Sequence, residues 1–397
     1  MAHAPPAPTN LASVLDIFRI AAFQHGRSRA LGGRAREIGC WSPAATRGPA
    51  PPLCYAGWMI RWAFHRWEEA LHKRGTDRLV RDFDWGLDWL DDLPDMPGSA
   101  AASPAAKLEA YAAWAVTHSE QFFASTDAPG HDLDRHGHLR FPSEIVTPHA
   151  ENNIVHARLY RAKEDRGRAV VVLPQWNSDA DGHVGLCKVF NRAGLTALRL
   201  SKPYHDWRKP HELQRADYIV SSNVGRTLQV CRQAVLDARR AVGFLHAQGY
   251  SSIGICGTSL GSCLSMLTAA HEPRIKAMAL NHISPFFADV VWEGLSTRHV
   301  RQGLDGHVDV DTLRRIWAPI SPQPYLERVR HIRTLLVYAQ YDLTFPLRLS
   351  RSFVQEFRDR GIPHRLAVLP CGHYSTGKSP FKFLDGYWLT KFLVRAL

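Results

Sequence analysis

The chain has 397 residues, a formal net charge of +12 and a 45% share of hydrophobic residues. That is enough apolar material for one large domain with an accessory region, which excludes a chain disordered throughout. No apolar run reaches the ~18 residues that a membrane-spanning helix needs. The scattered arginines form no nucleic-acid motif, so no DNA or RNA partner is expected despite the basic balance.

Residues 1–57 are rich in Ala, Pro, Gly and Arg and poor in acids, which predicts a flexible extension. The same composition fits an organelle transit peptide, or an extension ahead of a true start at Met59, and all three readings stay open. No signal peptide is visible, because the apolar stretch at 11–20 holds Asp16 and Arg19 and lacks a basic leader. The cysteines, Cys40, Cys54, Cys187, Cys231, Cys256, Cys263 and Cys371, are odd in number and form no C-x-x-C pair. Several sit in apolar contexts as small hydrophobes, which points to a reducing, cytoplasmic setting.

Residues 58–73 predict an amphipathic helix. Met59, Ile60, Ala63, Phe64, Trp67, Ala70 and Leu71 share one face, and Arg61, His65, Arg66, Glu68, Glu69, His72 and Lys73 share the other. Trp58 and Trp62 lie on the polar side. Two readings follow: peripheral contact with a membrane surface, or docking on the main domain, which Glu68 and Glu69 favour by diluting the positive charge. Residues 81–93 predict a second, aromatic-rich helix stopped by Pro94 and Pro97, and 105–123 a third. A helical N-terminal region over 58–140 is thus expected ahead of a main domain over 141–397.

From Phe141 the texture changes. FPSEIVTP and NNIVHARLY predict an antiparallel pair of strands with a short turn near 150–152. AVVVL at 169–173 predicts a strand buried on both faces. A helix at 183–193, the strand LTALRLSKP and a long helix at 224–248 follow, and then strands at 253–256 and 276–282. The insert 285–330, with Phe286, Phe287, Trp292 and Trp317, predicts a small cap. Strands at 334–339 and 364–369 and helices at 347–360 and 380–397 complete the pattern. Strands alternating with helices imply an α/β fold: a mostly parallel sheet flanked by helices, with ligands bound outside the carboxyl ends of the strands.

Between the strand at 253–256 and the helix after it lies Gly257-Thr258-Ser259-Leu260-Gly261, a G-x-S-x-G match. A serine on a strained strand-to-helix turn crowds the residues two positions away on each side, so glycine is wanted at both. The Leu260 N–H then lies at a helix N-terminus, able to face a developing oxyanion. A serine needs a base, and the base an orienter. Asp342 stands just past the strand TLLVYA, and His373 follows Gly372 in the loop after the strand at 364–369. Ser259, Asp342 and His373 therefore sit at three strand ends as candidate nucleophile, orienting acid and base. Asp289 is a fallback acid.

A second oxyanion donor is expected after AVVVL, where Pro174-Gln175-Trp176-Asn177 replaces an HGGG form. Pro174 has no N–H, so the donor is Gln175 or Trp176, and the Trp176 ring could wall the pocket. His205, in Tyr204-His205-Asp206, and His282, beside Asn281 and Ser284, are further candidates for substrate contact, with structural hydrogen bonding as the alternative. Asn177-x-Asp179-x-Asp181-Gly182 mimics half a calcium loop, but its twelfth position is Lys188 where a bidentate Glu is needed. No metal and no cofactor are expected.

With these motifs assembled, the chain over 141–397 resembles the α/β-hydrolase superfamily. LPQWN, LRLSKPYHDWR, RADYIVSSNVGRT and GTSLGS look like a bacterial branch similar to the group named abhydrolase domain-containing protein eighteen in animals. The resemblance implies an acyl hydrolase using Ser259, Asp342 and His373 on a small-molecule or lipid ester. Acyl transfer or amide cleavage on the same residues, and a catalytically silent binding scaffold, are the alternatives.

Overall fold

Alternating apolar residues along the central strands face two different cores. Val171 and Leu173 join one buried cluster, and Val170 and Val172 join the other. This period of two is what a strand covered on both faces requires. The computed structural model describes residues 52–90, 103–128 and 130–397. The extension expected over 1–57 falls mostly outside them. The strands are β1 (Asp132–Leu133), β2 (His138–Pro142), β3 (Ile154–Tyr160), β4 (Arg168–Leu173), β5 (Thr196–Leu200), β6 (Ser252–Thr258), β7 (Ile275–Asn281), β8 (Arg333–Ala339) and β9 (Arg365–Leu369). The longer helices are α1 (Pro52–His72), α2 (Pro104–Thr117), α3 (Val184–Arg192), α4 (Val224–Ala247), α5 (Leu260–His271), α6 (Leu347–Asp359) and α7 (Phe381–Ala396).

The strands form one nine-stranded sheet in the order β1-β2-β3-β5-β4-β6-β7-β8-β9. From β5 to β9 every pairing is parallel, and β1, β2 and β3 add an antiparallel edge. This is the expected mostly parallel sheet flanked by helices. The order turns back at β4, whose neighbours are β5 and β6, so the chain leaves the sheet in opposite directions around one crevice. Helix α4 is buried on nearly every side and is started by Asn223, whose side chain accepts the Arg226 N–H. Each large apolar side chain buried in these layers contributes roughly 1.5–3 kcal/mol.

Residues 52–397 cluster as one unit, and Leu108, Tyr111 and Phe122 of the N-terminal region lie in the same core as Leu236 of α4. Three local expectations are corrected. The segment at 81–93 is not a helix; among its described residues only Leu87–Leu90 turn, as a 3-10 helix. Its backbone instead bridges to Asn223: the Val224 N–H donates to the Asp84 oxygen at 2.9 Å, and Asn223 Nδ2 donates to Asp84 Oδ2 at 2.7 Å. Gly86 has φ of 64° and lies so close to Gly225 that a Cβ there would stand 2.1 Å from the Gly86 oxygen. The strand expected from Phe141 onward ends at Pro142, because Asn153 Oδ1 folds the next segment back by accepting the Thr147 N–H and hydroxyl. The helix at 105–123 breaks at His118 into α2 and a single turn, Ser119–Phe122.

Helix α1 also corrects its predicted faces. Glu68, placed on the polar side by periodicity, is fully buried, whereas Met59 and Ile60 from the apolar side are exposed. Phe64 stacks on Tyr341 at 4.5 Å and meets Phe381 edge-on, which rotates the helix so that Phe64, Glu68 and Leu71 face the domain. No helix of the described residues is long and apolar enough to cross a membrane.

Candidate active site

Strand β6 ends at Thr258, Ser259 takes φ 57° and ψ −123°, and α5 begins at Leu260. This is a strained conformation for a residue with a side chain. It is held by the Ser259 N–H donating to the Asn281 oxygen at 2.7 Å and by the Ser262 N–H donating to the Ser259 oxygen at 2.8 Å. The flanking glycines have a steric cause. A Cβ at Gly257 would lie 2.1 Å from the Gly261 oxygen, and one at Gly261 would lie 2.1 Å from the Leu173 oxygen.

Asp342 follows β8 and is buried. Its Oδ1 accepts the N–H groups of Thr344 and Phe345, each at 2.7 Å. Its Oδ2 lies 3.1 Å from His373 Nδ1 and 2.8 Å from His282 Nδ1. Burial alone would raise the Asp342 carboxyl, but the His373 charge and the two imidazole contacts hold it well below the usual carboxylate range. Burial alone would lower His373, yet Asp342 first and Glu68 after it push this imidazole above its ordinary value. Phe345 stacks on the His373 ring at 5.5 Å. No hydrogen bond joins Ser259 to His373; such bonds commonly tighten only with substrate bound.

Glu68 is the residue that periodicity missed. From α1 its Oε2 accepts the Tyr374 N–H at 2.8 Å and its Oε1 accepts the Ser375 N–H at 2.9 Å. The carboxylate thereby satisfies the free donors at the start of the turn His373–Thr376. Burial pushes the Glu68 carboxyl up, and these bonds partly offset it. No local signal could have identified it, since its partner loop lies at the far end of the chain.

After β4, the three successive residues Gln175, Trp176 and Asn177 are pinned. Lys202 Nζ donates to the Gln175 oxygen at 3.1 Å, and Trp176 Nε1 donates to the Ala216 oxygen at 2.8 Å. The Asn177 N–H donates to His205 Nε2 at 3.0 Å. Burial lowers the Lys202 ammonium to about 7. Among the described residues the backbone N–H groups of Gln175, Trp176 and Leu260 have no protein acceptor. They remain free to meet an oxygen from outside.

An open pocket lies at Ser259 and Leu260. Trp176 lines it, with Phe286, Phe287 and Val291 from the 285–330 insert and Phe345 from the loop after Asp342. His205 and His282 do not line it. His205 is buried behind Asn177, and His282 is buried against Asp342, so each props a neighbour instead. Asp289 is paired with Arg314 within the insert and stands apart from His373. Asp179 Oδ1 accepts the Gly182 N–H, which makes the calcium-like stretch a turn. His282, Asp342 and His373 place their donor atoms within 4.8 Å of one another, close enough for a metal. His373 Nδ1, however, is already hydrogen-bonded to Asp342 Oδ2, and His282 Nδ1 lies 2.8 Å from the same oxygen.

No protein-family model and no curated protein matches the chain. Solved structures do match in fold. An acylaminoacyl peptidase of Pyrococcus horikoshii superposes with a TM-score of 0.52 at 15% identity, covering 68% of this chain. The chain spans only 42% of that peptidase's length. Acetyl xylan esterase 1 of a Thermoanaerobacterium species superposes with a TM-score of 0.51 at 15% identity, covering 83% of this chain and 98% of the esterase. The likeness at these identities is one of architecture, the α/β-hydrolase fold.

Proposed function

We propose that the protein is a serine hydrolase that cleaves a carboxylic ester through an acyl-enzyme. One observation carries the reading: Asp342 and His373 are in contact, and Phe345, which stacks on His373, lines the same apolar pocket as Ser259 on its strained strand-to-helix turn. In this reading Ser259 Oγ attacks the carbonyl carbon while His373 Nε2 takes its proton. The Leu260 N–H, with that of Gln175 or Trp176, holds the oxyanion, each donor being worth about 10²–10³ in rate. The tetrahedral adduct collapses, the carbon–oxygen bond to the alcohol breaks, and the leaving oxygen takes the proton from His373. Water repeats the sequence on the acyl-serine and releases the carboxylic acid. Asp342 keeps the proton on His373 Nδ1 and stabilises the imidazolium. The apolar cavity on the Ser259 side receives the acyl group.

The test is labelling by a fluorophosphonate, read by intact mass. A single adduct on the wild type and none on Ser259→Ala is the expected result. Absence of any adduct on folded wild-type protein would overturn the reading.

A further inference from the structure

The two sides of the proposed site differ in chemistry. An apolar pocket opens at Ser259, and guanidinium groups gather around His72, beside Tyr374, and around Trp176. Tyr374, next to His373, brings His72 Nδ1 to 3.0 Å from its hydroxyl and Arg78 Nη2 to 3.5 Å. The Arg215 guanidinium lies over the Trp176 ring at 5.1 Å and pairs with Asp77 at 3.1 Å. His299 stacks on the same Trp176 ring at 5.7 Å, 4° from parallel. Arg298 beside it is exposed and has no ion pair among the described residues.

The rim is over-supplied with positive charge. Among the described residues the carboxylates paired with Arg78, Arg81, Arg215 and Arg298 are Asp77 and Asp217, Arg81 is committed to Asp217 at 3.2 Å, and Arg78 donates to the His72 and Gly75 oxygens instead. Burial first, and then these arginines, lower His72 and His299 to about 4, so neither adds charge near neutrality. Polar groups here also lack partners. Both ring nitrogens of His299, which is 6% exposed, and the Nε atom of Arg78 make no hydrogen bond. His299 lines a small side pocket with Arg81, Asp217, Ser221 and Ser222. Unpaired buried donors of this kind are costly unless a ligand meets them.

We propose that this rim binds an acidic group on the alcohol part of the ester, so that the substrate joins an apolar acyl group to an anionic leaving group. The inference rests on the serine-hydrolase reading for its orientation. His373 must hand its proton to the departing oxygen, so the alcohol leaves past the His373–Tyr374 turn, where Arg78 lies 3.5 Å from the Tyr374 hydroxyl and, with Arg215 and Arg298, acts on His72. Guanidinium groups match carboxylate and phosphate oxygens in fork geometry, and both acids fit the same rim.

Three esters of one acyl group separate the outcomes: the esters of 3-hydroxybenzoate, 3-hydroxyphenyl phosphate and 3-hydroxybenzamide. At low salt, kcat/KM for one or both acidic esters exceeds that for the carboxamide ester by about 10-fold to 100-fold. The preference shrinks in 0.5 M NaCl and in Arg298→Gln, an exposed position whose change leaves the fold intact. The larger of the two acidic preferences names carboxylate or phosphate as the group recognised. Calorimetry of the free alcohols on Ser259→Ala provides a readout independent of turnover: the acids bind and the carboxamide does not. Equal kinetics for all three esters, or a preference unchanged in Arg298→Gln, overturns the proposal. Acid binding without fluorophosphonate labelling would keep the rim and sink the hydrolase reading instead.

Discussion

Glu68 and Gly372 fit together only because the glycine lacks a side chain: a Cβ at 372 would stand 2.3 Å from the Glu68 carboxyl carbon. That closeness lets a carboxylate from α1 grip the turn that carries His373. The N-terminal helix is therefore part of the wall behind the proposed base, although it lies outside the parallel sheet.

Glu68→Gln tests this grip through the pH profile. Asp342 and Glu68 raise His373 above its ordinary value of 6.5, so the imidazole loses its proton at a higher pH than a free histidine. A general base must be neutral, and kcat/KM therefore falls as pH drops through that raised value. Glutamine keeps an acceptor for the turn but removes the charge, so the acid limb shifts to lower pH. An unmoved limb would show that the Glu68 charge does not reach His373. Gly372→Ala forces the carboxylate off the turn and lowers kcat/KM by up to about 100-fold, the scale of an ångström misplacement.

His282→Phe separates the two imidazoles on Asp342. His282 Nδ1 is the nearer of the two to Oδ2, at 2.8 Å against 3.1 Å for His373. Losing one contact to a buried carboxylate is worth about 10-fold in kcat, with KM little changed. A KM effect alone would instead assign His282 to substrate binding.

Asp385→Asn acts on stability. Burial raises the Asp385 carboxyl to about 7, and Asn281 Nδ2 donates to both of its oxygens at 3.0 Å. The folded state thus binds this proton more tightly than the unfolded chain does. Its stabilising contribution is complete below the unfolded value near 3.8 and is lost as pH rises through about 7. Wild-type Tm therefore falls between pH 5 and pH 8 relative to the variant, in which Asn can also reach the partnerless Oδ1 of Asn281. Parallel Tm curves for the two proteins would refute this.

Local sterics and periodicity were legible in the chain itself. The glycines flanking Ser259 answer to contacts within one turn, and the buried strands to a period of two, so both are written where they act. The acid and the histidine could be placed at strand ends for the same reason. Periodicity failed where a distant partner outweighed it. The 81–93 segment has a helical texture, but Asp84 and Gly86 are spent on the start of α4, and Glu68 reads as a solvated face until the 373–376 turn claims it. Likewise His282 looks like a pocket residue, and only the packing of β7 beside β8 turns it onto Asp342. The sequence by itself determined the elbow and the order of strands and helices, because those depend on neighbouring residues. The tertiary structure alone decided which charges meet around His373 and Trp176, because Coulomb and hydrogen-bond partners are chosen by distance in space and leave no periodic trace in the chain.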